Sequence, residues 1–214
     1  MTNKVAFAIF WTVFAGLFMT FFIPVLRYIP EGFPEYMSIN TTTKKVVFAT
    51  HIVSGIVVYT TAFLQFAPFV RNRNIRFHKK LGKIYVAVAL ICIVTLYYII
   101  PLGRNAGLPF WPSQYAATTL WLLFILLALY FVRQKKIVWH RRFMISGFIC
   151  AAYFVTVRVI DRFCMGIFKS IFEDEGTSLL ISDVFVWSFP LTICWCYWLL
   201  LNQQSNKTIL HPNI

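Results

Sequence analysis

The chain has 214 residues, of which 59% are hydrophobic and only 13% charged, and it carries a formal net charge of +13. Soluble domains carry about 25% charged residues, and 23 Phe, 10 Tyr and 7 Trp are more than one water-soluble core of this length can bury. These numbers set aside a water-soluble globular protein and point to lipid, where an apolar run of about 20 residues spans the hydrocarbon core.

Six such runs follow in chain order, at residues 5–26, 46–68, 84–103, 115–132, 143–163 and 184–201. Backbone groups in lipid must be paired internally, and the period-two alternation of a barrel strand is absent, so each run predicts a helix. The first run has one nearby charge, Lys4, and is followed by Arg27-Tyr28-Ile29-Pro30 instead of a small-x-small cleavage site. It reads as a retained helix, not a signal peptide. Pro190 falls inside the last run and is expected to kink it. Residues 202–214, with His211, read as a flexible tail without a role. The expected fold is all-α: one integral membrane domain over residues 1–214, a polytopic bundle of six transmembrane helices.

Charge orients that bundle. With six spans, the N-terminus, the second and fourth loops and the C-terminus share one side, which holds 13 of the 20 Lys and Arg. All seven acids fall on the other. The positive-inside rule then places both termini in the cytoplasm, with a bacterial inner (plasma) membrane as the expected location. The basic face should attract anionic headgroups, each Lys or Arg contributing about 1 kcal/mol near the surface. Because the basic residues cluster at membrane ends and not on a soluble module, nucleic acid is not an expected partner. The five cysteines, Cys92, Cys150, Cys164, Cys194 and Cys196, form no C-x-x-C pair. They read as small apolar residues, with no disulfide framework and no metal site.

Polar residues within the spans are the candidates for function. His51, Gly55, Val58, Ala62 and Gln65 recur at steps of four and three and so share one helix face. His51 and Gln65 lie about 21 Å apart along the axis at 1.5 Å per residue. That face is either a packing seam with small residues or the lining of a ligand site. Arg158 is expected at about the depth of His51, in an ion pair with Asp161 or Asp183 or bound to an anionic group of a ligand.

Two four-residue runs echo each other: Phe77-His78-Lys79-Lys80 and Trp139-His140-Arg141-Arg142. The histidines are 62 residues apart, and each ends a basic loop and opens an apolar run. The pattern suggests that the second and third helices and the fourth and fifth are related hairpins, although Ser113 stands in register with His51. Imidazole is a metal and haem ligand. If the third and fifth helices pack together, His78 and His140 could hold one haem b iron, with basic neighbours such as Arg76, Arg141 and Arg142 on its propionates. The plainer reading is interfacial residues meeting phosphate headgroups, with Phe77 and Trp139 as anchors.

The segment His51-x-x-x-Gly55, Gln65, Arg76-x-His78-x-x-x-Gly82-x-x-Tyr85, then His140-Arg141-Arg142-Phe143-Met144-Ile145 and Val155-Thr156-Val157-Arg158, resembles the predicted membrane proteins of domain of unknown function family 2306. That resemblance implies a multi-pass membrane topology. A looser similarity, to cytochrome b bundles of the ascorbate-reducible type, implies haem between histidine pairs. The three histidines near the membrane allow at most one such haem here. Two functions follow as expectations. One is a b-type haem electron carrier with a quinone or redox partner. The alternative is a non-enzymatic transporter, sensor or accessory subunit with a polar cavity along the second helix. A hydrolase is disfavoured, because no nucleophile stands beside a base.

Overall fold

The computed structural model describes residues 2–26, 28, 39–67, 70 and 74–210, and among them there are helices and no strands. They are α1 (Thr2–Leu26), α2 (Thr42–Phe66), α3 (Ile75–Asn105), α4 (Trp111–Arg133), α5 (Ile137–Phe163), the short α6 (Met165–Ile171) and α7 (Glu175–Leu210). Five of them, α2, α3, α4, α5 and α7, are long and apolar enough to cross a membrane; α1 carries a shorter apolar segment, Trp11–Val25.

Several helices outrun their apolar stretches because the flanking polar turns are capped. Asn74 Oδ1 accepts the Phe77 N–H at 2.9 Å and starts α3 nine residues before the apolar run at 84. Asp174 Oδ2 accepts the Thr177 N–H at 2.5 Å, and Glu175 adds negative charge to the first turn of α7, where the helix dipole favours it. Hydropathy alone places Asp183 at the start of the last helix, but α7 begins at Glu175, so Asp183 lies well inside it. At its other end α7 runs through Pro190 to Leu210, into the segment expected as a tail. Pro68 and His211 lie outside the described residues. Gly107, at φ 80°, turns the chain from α3 to α4, and Lys135, at φ 58°, does so from α4 to α5.

The hairpin partners pack most extensively: α4 on α5 and α2 on α3. α3 also packs on α4, α5 on α7, and α1 lies against α5 and α2. Lipid offers no hydrophobic drive between helices, so small residues that let backbones approach supply the contact. Ala128 and Ser146 are fully buried. A Cβ added at Gly147 would stand 3.4 Å from Phe124 Cβ and 3.5 Å from Trp121 Cδ1. Trp121, Tyr85, Ile93 and Cys150 form the central core, whereas Val53, Val94, Leu126 and Ile193 face outward. The hydroxyls of Thr50, Thr60, Thr118 and Ser146 return to carbonyls of their own helices, which satisfies them without water.

Candidate functional site

A cavity of about 330 Å³ opens among α2, α3, α4, α5 and α7, in the half of the bundle away from His78 and His140. Its walls are mainly apolar, from residues such as Phe48, Ile52, Leu96, Ile99 and Val155, but His51, Gln114, Arg158, Asp161 and Asp183 also line it. Such a mixture, apolar walls with a few convergent polar groups, is the usual make-up of a small-molecule site.

The His51 ring is held by its neighbours on α3. Its Nδ1 lies 3.3 Å from Thr95 Oγ1 and 3.5 Å from Cys92 Sγ. The Thr95 hydroxyl donates to the Cys92 carbonyl at 2.7 Å. Nδ1 is thus the ring atom that ties His51 to α3. Asp183 is 3% exposed and accepts a 2.5 Å hydrogen bond from Tyr153 Oη. Close by, Trp187 Nε1 donates to Ser113 Oγ at 2.9 Å. Arg158 and Asp161 stand one turn apart on α5 and interact electrostatically, as Asp161 does with Asp183. Trp121 is 1% exposed and lines the cavity, with the Tyr85 hydroxyl beside its indole N–H.

The residues singled out by sequence thus divide. His51 and Arg158 meet in the cavity, as does the upper part of the small-residue face, Gly55 and Val58. Gln65 does not reach it: its Nε2 donates to the His78 carbonyl at 2.7 Å, so the lower part of the face is a packing seam. Arg76 and Arg141 are exposed. Arg142 is buried, its guanidinium 5.1 Å from the Trp139 ring centre and 5.6 Å from that of Trp198, within cation–π range. His140 Nδ1 bonds the Ala128 carbonyl of α4 at 2.9 Å. Neither His78 nor His140 lines the cavity, and α4 packs against both helices that carry them, α3 and α5.

A family model described as predicted membrane protein (DUF2306) matches residues 48–201, which takes in all of the cavity except its edge at Val25 and Tyr28. The chain belongs to the DUF2306 family. No curated protein and no solved structure matches it. The DUF2306 match begins within α2, so the two hairpins and α7 are the matched part of the bundle. Sequence reasoning missed Gln114 and the Tyr153–Asp183 contact. The available signal was an acid at the edge of an apolar run, which is costly in lipid unless it has a partner.

Proposed function

We propose that this protein binds a small amphipathic molecule in the cavity, as a non-enzymatic transporter, sensor or accessory subunit would. The observation that carries this reading is the gathering of His51, Arg158, Asp161 and Asp183 around one mainly apolar cavity. Ionisable side chains are expensive in a membrane and mark ligand or ion pathways. The full proposal is one integral domain with six spans, α1 being the first, both termini in the cytoplasm and the cavity in the outer half. A bacterial inner membrane suits it, with anionic headgroups on the basic face.

The test uses Gly55, which lines the cavity and has open space where a Cβ would stand. Gly55→Leu should fill part of the cavity, because its Cβ meets nothing within 4 Å. Native mass spectrometry of protein extracted in a non-ionic detergent should show a retained small-molecule adduct, lost in Gly55→Leu. Equal occupancy in the two proteins overturns the reading.

A second reading, one b-type haem between His78 and His140 serving a quinone or redox partner, draws on one contact. The His140 bond to the Ala128 carbonyl fixes the ring and leaves Nε2 for a metal, an arrangement common in ligating histidines. The basic residues beside it, Arg141 among them, would meet propionates.

A further inference from the structure

The 62-residue offset between His78 and His140 extends into the cavity wall. Ile52 and Gln114, Tyr59 and Trp121, and Cys92 and Phe154 are each 62 apart, and all six line the cavity. So do Leu96 with Arg158 and Ile99 with Asp161. The α2–α3 and α4–α5 hairpins therefore present matching registers to a common space. Parallel repeats of this kind are related by an axis along the membrane normal, and transporter sites lie at such repeat interfaces. The two walls differ most where charge enters. The first hairpin offers Leu96 and Ile99, and the second offers Arg158 and Asp161 at the same positions.

From this asymmetry we infer that the cavity is specific for an amphipathic zwitterion, its charged end on the α5 wall and its apolar part on the α3 wall. The inference rests on the ligand-binding reading above and deepens it. Arg158 presents a planar guanidinium fork whose geometry suits a phosphate or carboxylate. Asp161, one turn further on α5, and Asp183 on α7 supply carboxylates for an amine. A ligand that is only anionic would suit Arg158 but meet the carboxylates of Asp161 and Asp183. A zwitterion pairs with both signs. The chemistry is met by an ethanolamine phospholipid headgroup or by a water-soluble zwitterion.

Titration of the purified protein in non-ionic detergent with lysophosphatidylethanolamine, lysophosphatidylglycerol and free phosphorylethanolamine tests this. Lysophosphatidylethanolamine should bind more tightly than lysophosphatidylglycerol by roughly tenfold, the scale of one lost charge-assisted contact. Arg158→Gln and Asp161→Asn should each weaken it by a similar factor, whereas Val94→Leu, on the outward face of α3 and outside the cavity lining, should not. Binding of phosphorylethanolamine at comparable strength identifies a soluble zwitterion as the source; binding of the lyso-lipid alone identifies the headgroup. Equal or tighter binding of lysophosphatidylglycerol overturns the inference, and this comparison uses the unaltered protein, so it stands even if a variant fails to fold. Should that anionic lipid win and still be displaced by Gly55→Leu, the cavity reading survives and only the zwitterion is lost. If Gly55→Leu changes no binding, the cavity reading falls as well.

Discussion

Removing one hydroxyl tests how α7 is held to the bundle. Tyr153 on α5 donates to Asp183 on α7 at 2.5 Å, with the two residues 1% and 3% exposed. Hydrogen bonds to charged groups contribute about 1.5–3 kcal/mol, so Tyr153→Phe should destabilise by that much. For a chain of this size each kcal/mol moves Tm by about 2–4 °C, which gives a fall of roughly 3–12 °C. Asp183→Asn keeps an acceptor for the hydroxyl and removes a buried charge, so its own cost should be smaller, about 1 kcal/mol. Because both changes act on one contact, the double variant should lose less than the sum of the singles, by about 1 kcal/mol. Thermal unfolding in non-ionic detergent, followed by near-ultraviolet circular dichroism, measures all four corners of the cycle. Single losses that add to within about 0.3–0.5 kcal/mol would refute a direct Tyr153–Asp183 coupling.

Three other outcomes are expected. The Asp174 carboxyl, outside the spans, is held below its usual range by the Thr177 hydroxyl and N–H. A depressed folded pKa means that the cap is intact above the ordinary carboxylate range and is lost as pH falls through the folded value. Thr177→Val should therefore raise the Asp174 titration midpoint measured by carbon-13 NMR, and an unmoved midpoint contradicts the capping account. Reporter fusions at the two termini should be active only in the cytoplasm; activity of either on the far side breaks the six-span orientation. The haem reading predicts a Soret band that His78→Ala or His140→Ala abolishes, and a colourless, folded preparation from haem-replete cells ends it.

Hydropathy carried the fold because lipid imposes a single demand on every span, that its backbone be paired internally. The all-helical bundle and its membrane-length helices were legible for that reason. Helix ends were less so, since caps such as Asn74 and Asp174 act through local hydrogen bonds that a hydropathy window averages away. His51 and Arg158 were visible as costly residues at matching depth, and the structure brings them to one cavity. Gln65 stood on the same face yet serves packing, because its partner is a backbone carbonyl, that of His78, which no side-chain pattern advertises. The lining role of Gln114 depends on how two hairpins meet, which the pattern of a single helix does not encode.

The polar contacts between helices fall into two blocks. Gln65 with His78 and His51 with Thr95 tie α2 to α3. His140 with Ala128, Trp187 with Ser113, Trp195 with Ser146 and Tyr153 with Asp183 tie α4, α5 and α7 together. Tyr59 with the Ala151 carbonyl, at 3.3 Å, and Tyr97 with Thr119, at 2.8 Å, cross from one block to the other. A rocking of α2–α3 against α4–α5–α7 would strain the crossing contacts while sparing the rest, and the cavity lies along that seam. For the guest proposed above, such a rocking would open the cavity along this line and keep Arg158, Asp161 and Asp183 together on one block.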